Sequence, residues 1–428
     1  MERKKRAVIA GGGWAGCAAA VSAVKCGLEA VLLERTDMLL GTGLVGGIMR
    51  NNGRFAAQEE CSALGGGELF SITDECARHR NVDFPGHRHA TLYDIALTPA
   101  AVSRYLEELG VRVEYQSRVE KAEVSDGAVR SVTDGAGRVF GGDVFVDATG
   151  SAGPQGNCRS YGNGCAMCVL RCPSFGGRIS LTALAGVSEI QGKNASGGTG
   201  AMSGACKLLK ESLATSLVER LEKTGVAVVP LPEELVEDHL AKKACQQYAL
   251  PEYRENLILL DTGHAKLMAP YFNLQKLRRV PGFENARYAD PYAGGRGNSV
   301  RFLAMAPRGD SLLVRGTKNL FCAGEKAGLL VGHTEAIVTG TLAGYNAARL
   351  AGGNAPLTLP RQLACGEAIA FVREQMETPR GLSMKYTFSG SVLYERLEQL
   401  GLAVADPERI RDRVERLGLT GALRPPGT

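Results

Sequence analysis

Three groups of residues in this chain have the types and spacing needed for chemistry. The first is Gly11-Gly12-Gly13-Trp14-Ala15-Gly16, which follows a short apolar run and fits G-x-G-x-x-G. In such a turn Gly11 permits the tight bend, Gly13 lets the backbone approach a pyrophosphate, and Gly16 lets a helix pack on a strand. The helix opened by Trp14 and Ala15 offers free N–H groups and a positive dipole end to phosphate oxygens. Glu34 closes the next apolar run, where a carboxylate accepts hydrogen bonds from ribose hydroxyls and repels a 2′-phosphate; Arg35 stands beside it. The second group is Cys158, Cys165, Cys168 and Cys172. Cys165-x2-Cys168-x3-Cys172-Pro173 repeats the last three ligand positions of the bacterial ferredoxin run, but the first position falls on Gly162, with Cys158 four residues upstream. Three readings stay open: a 4Fe–4S cluster on Cys165, Cys168 and Cys172 completed by Cys158 or a distant ligand, a Cys165–Cys168 dithiol that exchanges electrons with a redox cofactor, and zinc or inert thiols. The third is His333, preceded by Gly332 at the start of a predicted helix, either a packing residue or an acid–base group. His79, His87 and His89 lack a cysteine or carboxylate at ligand spacing and read as a surface loop.

The elements that must position these groups follow from periodicity. Arg6 to Ala10 reads as a buried strand, Ala15 to Cys26 as a helix and Glu29 to Leu33 as a second strand, which together make one βαβ unit. Thr98 caps a helix with Pro99 at its first position. Val111 to Tyr115, Val119 to Ser125 and Ala128 to Thr133 are strand-like, and Asp126-Gly127 is a hairpin turn. A helix is expected near Cys206 to Lys223, strands at Leu312 to Val314 and Leu320 to Cys322, and a helix over Thr334 to Leu350.

Composition narrows the function classes. At 428 residues the chain is long enough for two interleaved domains, and 44% hydrophobic with 22% charged residues is ordinary for a globular protein. The net charge of +5 is spread along the chain without a basic arm, so nucleic acid is not the first expectation, although a patch assembled in three dimensions leaves RNA open. No uninterrupted apolar run is long enough to span a membrane. Trp14-Ala15-Gly16-Cys17 loosely resembles a lipoprotein cleavage site, but three glycines interrupt the stretch, and the cytoplasm is the expected compartment. Lys266, Tyr271, Arg278 and Arg279 read equally as an anion site or a solvated face.

Beyond the first unit stand Asp147-Ala148-Thr149-Gly150 and Asn319-Leu-Phe-Cys-Ala-Gly324-Glu325. With these the chain resembles the FAD-dependent oxidoreductases of the glutathione-reductase type, a pattern over residues 6–150 and 311–350. The resemblance implies FAD held by Gly11, Gly13, Trp14, Ala15, Gly16, Glu34, Arg35, Val119, Ala148, Thr149, Gly150, Gly324, Glu325, Gly332 and His333, with Glu325 on the ribityl–pyrophosphate part and the strand entered at Val119 beside adenine. Gly328-Leu-Leu-Val-Gly332-His333-Thr334-Glu335-Ala336, then Gly340 and Leu342 to Ala348, is similar to the glucose-inhibited-division-A flavoproteins, which modify tRNA uridines. The glycines from Gly41 to Gly47 resemble those of the family containing the heterodisulfide reductase flavoprotein subunit. The chain is too short for the helical extension of the larger tRNA enzymes, and the catalytic cysteine motif of the shorter folate-dependent ones is not placed on it.

The expected architecture is therefore α/β: a Rossmann-type FAD domain (1–153 and 311–352), with a parallel sheet, helices on both faces and a small antiparallel meander, an inserted α+β substrate domain (154–310), and a helical C-terminal segment (353–428). The leading function is an FAD-dependent oxidoreductase acting on a small molecule or a redox protein, with His333, Cys165 and Cys168 as reactive groups. No second G-x-G-x-x-G follows a strand, so electrons come from substrate, an electron-transfer partner or the cysteines. A tRNA-modifying flavoprotein and a non-catalytic FAD-binding protein are the alternatives.

Overall fold

The computed structural model describes residues 3–150, 174–194, 197–198, 201–202, 205–237, 246–269, 272–289, 300–301 and 303–425. Cys158, Cys165, Cys168, Cys172, Tyr271 and the glycine-rich run 292–297 lie outside the described residues.

Along the chain, β1 (Arg6–Ala10), α1 (Trp14–Lys25) and β2 (Glu29–Leu33) form the predicted unit, followed by β3 (Ile48–Met49) and α2 (Arg54–Ala63). A hairpin of β4 (Ala77–Phe84) and β5 (His87–Tyr93) leads to α3 (Thr98–Glu108), β6 (Arg112–Glu114), the meander β7 (Val119–Ser125), β8 (Ala128–Asp134) and β9 (Val139–Gly141), and β10 (Val144–Asp147). The middle contributes α4 (Leu181–Leu184), β11 (Cys206–Leu208), α5 (Thr215–Thr224), β12 (Val226–Pro230), β13 (Asn256–Asp261) and β14 (Ala265–Leu267). The chain then returns with β15 (Leu320–Cys322), α6 (His333–Ala351) and α7 (Ala364–Gln375).

Five strands make one parallel sheet in the order β15-β10-β1-β2-β6, with Ala7 opposite Val144 and Ala30 and Phe145 opposite Leu320. Parallel strands are covered on both faces, and so β1 and β10 read as unbroken apolar runs rather than alternating ones. The C-terminal ends of β1, β2, β10 and β15 converge on one edge, where doubly wound folds bind ligands. Gly11 crosses from β1 to α1 at φ +103°, and an added Cβ would lie 2.4 Å from the Ala148 carbonyl oxygen; at Gly16 it would lie 1.8 Å from the Gly11 oxygen. Both glycines are thus demanded by close approach within the fold.

α1 and α6 run side by side in the same direction. Cβ atoms at Gly340 and Gly344 would each stand 2.2 Å from a carbonyl oxygen of α1, those of Ala15 and Ala19. Small residues on both helices permit that spacing and bring both N-termini toward the strand ends. The middle segment builds a separate antiparallel sheet, β11-β14-β13-β12, with its own core around Leu208, Leu221, Leu259 and Phe283.

Several expectations change. Cys206 to Leu208 is a strand, and the helix begins only at Thr215: Cys206 and Leu208 are buried while Lys207 between them is not, a period of two that a helix cannot use. Leu312 to Val314 makes only isolated bridges. Thr98 is already helical and Leu97 before it makes no side-chain cap; Asp94 Oδ1 instead holds the preceding turn by accepting from the N–H groups of Ala96 and Leu97. Asp126 and Gly127 both take φ near +60°, at +54° and +73°, as a two-residue hairpin turn requires. Among the described residues no helix is long and apolar enough to cross a membrane.

Candidate functional site

A cavity opens at the C-terminal edge of the parallel sheet. Its lining brings together fourteen of the fifteen residues assigned to the cofactor, drawn from the first turn (Gly11, Gly13, Trp14, Ala15), the end of β2 (Glu34, Arg35), β7 (Val119), the turn after β10 (Ala148, Thr149, Gly150), the turn after β15 (Gly324, Glu325) and the start of α6 (Gly332, His333). Gly16 alone is absent from the wall, since it packs against Gly11 one turn behind. Gly13 differs from both: a Cβ there meets no atom within 4 Å and would point into empty space. The turn therefore keeps a hydrogen where the cavity, rather than the protein, needs the room.

Each wall is fixed by its own bonds. Glu34 is buried, and its two oxygens accept the N–H groups of Gly12 at 2.8 Å and Thr36 at 2.7 Å, so the carboxylate is oriented before any ligand arrives. Asp147 is fully buried; one oxygen accepts from the N–H and hydroxyl of Thr149, the other from the N–H and hydroxyl of Thr182 at the start of α4. It is a turn anchor, which explains why an acid precedes Ala148-Thr149-Gly150. Arg35 donates to the Gly176 carbonyl. Arg178 lines the cavity beside Gly150, and its guanidinium joins the two helix N-termini in favouring anionic ligand groups. Thr36, Gly41, Thr42 and Ser117 also line the wall. Their only signal in sequence is adjacency to Glu34, to the glycine-rich run or to Val119.

At the far end of the cavity, His333 Nδ1 lies 3.2 Å from the Tyr93 hydroxyl, and the indole of Trp14 stands 6.3 Å from the imidazole. Burial pushes the Tyr93 phenol up to about 12, so it keeps its proton at neutral pH. The Gly46 backbone presses on the imidazole: a Cβ at Gly46 would lie 1.8 Å from His333 Cε1. That backbone is held by Lys266, whose ammonium donates to the carbonyls of Val45 at 2.5 Å and Gly46 at 2.6 Å. Lys266 is buried, with burial first and Lys207 second in pushing its pKa down to about 7. It is thus neither a solvated face nor an open anion site but the tie between β14 of the middle segment and the cavity. Arg278 and Arg279 bond instead to the Ala286 carbonyl and to Glu234.

The histidines of the hairpin also depart from a surface loop. His87 is 2% exposed, stacks on Phe84 and meets Asn51, and burial with Arg54 nearby pushes it down to about 3, a neutral imidazole. His79 Nε2 donates to Asp261 at 3.0 Å. Among the described residues no group of His, Cys, Asp and Glu is arranged to hold a metal ion.

With this geometry in place, comparison with known proteins is informative. The model of the family described as glucose inhibited division protein A matches residues 6–256 and 262–355. A methylenetetrahydrofolate–tRNA-(uracil-5-)-methyltransferase, TrmFO, of Enterococcus faecalis is 34% identical over 142 residues, 32% of this chain and 28% of that protein. The TrmFO of Solibacter usitatus is 37% identical over 99 residues, 22% of this chain and 21% of that protein. These matches span less than a third of the relatives' length. The solved structure of Aquifex aeolicus GidA superposes over 96% of this chain and 76% of its own with a TM-score of 0.65 at 16% identity, a likeness of fold.

Proposed function

Because the chain belongs to the glucose inhibited division protein A family, we propose that it is an FAD-dependent enzyme that modifies a uridine of tRNA. The observation that carries this reading is the family match, which runs through both halves of the cavity and most of the middle domain. The relatives named for tRNA uracil-5 methylation support the substrate. An oxidoreductase of unknown substrate describes the same flavin chemistry only coarsely, and these relatives favour the tRNA reading over it.

The cavity suits FAD on a feature of the chain itself: Gly13 leaves open the space that a pyrophosphate takes up, while Glu34 stands ready for ribose hydroxyls at the end of β2. Glu325, Thr149 and Gly150 line the segment between these groups and His333. When bound, the flavin supplies reducing equivalents to the one-carbon chemistry that such a transfer requires. The residues do the rest. The Tyr93 hydroxyl, which meets His333 Nδ1 and the Gly43 carbonyl, fixes the plane of the imidazole, and the N-terminus of α6 favours negative charge beside it. Lys266 keeps Gly46 against the imidazole and fixes its orientation. The proposed roles of Cys158, Cys165, Cys168 and Cys172, as cluster ligands or as a dithiol, fall outside the described residues, and no step is derived through them.

The test is transfer. Purified flavin-loaded protein, an unmodified tRNA transcript, a reductant and carbon-labelled methylenetetrahydrofolate should give label in uridine after nuclease digestion and mass analysis of the nucleosides. Label-free uridine from protein whose flavin is bound and reducible defeats the tRNA reading. Flavin reduction by a small molecule without RNA would restore the broader oxidoreductase.

Replacing Glu325 by alanine should weaken FAD retention and spare the fold. Loss of one or two charged hydrogen bonds costs roughly 1–3 kcal/mol, about 5- to 150-fold in Kd. Titration of apoprotein with FAD measures it; an unchanged Kd would remove Glu325 from the cofactor contacts.

A further inference from the structure

The outer face of the β4–β5 hairpin and the C-terminal end of α5 form the two walls of an open groove whose lining includes Arg78, His79, Arg80, Arg220 and Lys223 against the single acid Asp83. The walls come from distant parts of the chain but are held by one strand: Val82, Phe84 and Leu92 pack with Ile258 and Leu260 of β13, while Leu221 of α5 is buried in the neighbouring core with Leu259 of the same strand, so the charges are placed in advance. At the base, the fully buried carboxylate of Asp261 accepts from Arg78 at 2.8 Å, from Lys210 at 2.8 Å and from His79 at 3.0 Å. Arg78 also reaches Asp94 and Lys210 reaches Glu222, so these cations are met within the fold, and the positive charge the groove leaves exposed is that of Arg80, Arg220 and Lys223. Arg220 and Lys223 are exposed and, among the described residues, no carboxylate pairs with either.

The groove adjoins the cavity through two consecutive residues. Arg78 reaches Asp94 at 3.4 Å, and the preceding Tyr93 meets His333. Thr262, next to Asp261, accepts from the Ile95 N–H, and its methyl group lies against Gly47 of the glycine-rich run.

We propose that this groove seats the phosphodiester backbone of RNA and delivers a nucleotide to the His333 end of the cavity. The inference rests on the tRNA reading above and adds the docking surface. Phosphates match its chemistry because the groove presents an open row of arginine and lysine rather than an apolar floor, and phosphate contacts hold register without reading sequence. An exposed nucleotide could then reach the cavity along β5.

Fluorescence anisotropy with a labelled tRNA transcript and with poly(U) tests the groove, over a range of salt concentrations. The protein carrying R80S, R220S and K223S together should bind tRNA at least tenfold more weakly, with a log Kd against log salt slope shallower by about 2 to 3 for three lost phosphate contacts. Its FAD content and melting temperature should match wild type, since all three side chains are exposed. A control with R409S, R411S and R416S, which removes the same charge from the helix Pro407–Arg416, should bind as wild type does. Equal affinity in the groove variant and wild type overturns the groove and leaves the tRNA reading standing. Poly(U) binding lost in the groove variant, from a protein that never labels uridine, retains the groove and removes tRNA modification. Wild-type protein that binds neither RNA defeats both.

Discussion

Gly13→Val should yield a folded protein that carries no FAD. The glycines of the turn divide by what surrounds them. Side chains at Gly11 or Gly16 would strike the carbonyl oxygens of Ala148 or Gly11, at 2.4 Å and 1.8 Å, so substitution there attacks the fold. Gly13 has an ordinary φ of −70° and no atom within 4 Å of an added Cβ. Valine costs the apoprotein little, but it fills the space between the first turn of α1 and the strand ends where a pyrophosphate must lie against backbone N–H groups. The loss is the whole pyrophosphate contact, and retention through purification should vanish. Heat release followed by chromatography measures flavin, and the melting temperature of flavin-free wild type is the reference for folding. Stoichiometric FAD in the variant would place the pyrophosphate elsewhere; FMN in wild type would remove the dinucleotide altogether.

The cofactor half of the site was legible because its determinants are local. Gly11, Gly13, Gly16 and Glu34 lie within one βαβ unit, where each residue's task follows from backbone geometry and spacing alone. Thr149, Gly150, Gly324 and Glu325 carry no such logic by themselves and were reached through a family resemblance. What sequence could not supply is the support between distant segments. Lys266 belongs beside Gly46, Asp261 beside Arg78, and Asp147 beside Thr182, and only the assembled fold says so. The same limit explains His87: three histidines near a turn look solvated until the Tyr248 ring and Asn51 close over one of them. At Cys206 the error was of another kind, since a short apolar run before a true helix is ambiguous between periods of 2 and 3.6.

Glu335→Ala should be the most destabilising single change near the site, by about 3–5 kcal/mol. Arg54 and Glu335 are 6% and 0% exposed and form an ion pair at 3.2 Å from Nε to each carboxylate oxygen. Glu335 also accepts from the Thr387 hydroxyl at 2.6 Å and the Phe388 N–H at 2.8 Å, while Arg54 donates to Asn51 and Thr387. Four segments thus share one buried charge pair, α2, the β3–α2 turn, α6 and the chain near Thr387. Alanine leaves the guanidinium in the interior beside the neutral acceptors Asn51, Val331 and Thr387, and the loss of the Glu335 charge dominates the cost. Arg54→Met together with Glu335→Leu removes both charges and should be less destabilising than the sum of the two single changes, although Phe388 then loses its acceptor. Urea unfolding of the flavin-free proteins measures the four corners of that cycle. The site should respond as well, because a Cβ at Gly332 would lie 2.0 Å from Glu335 Oε2, so the carboxylate is in direct contact with the backbone that opens α6 beside His333. Flavin retention in Glu335→Ala should therefore fall even at temperatures where the protein stays folded. A variant within about 1 kcal/mol of wild type, below the cost of an unpaired buried charge, would mean that Arg54 escapes to solvent and that the network does not hold the His333 end of the cavity.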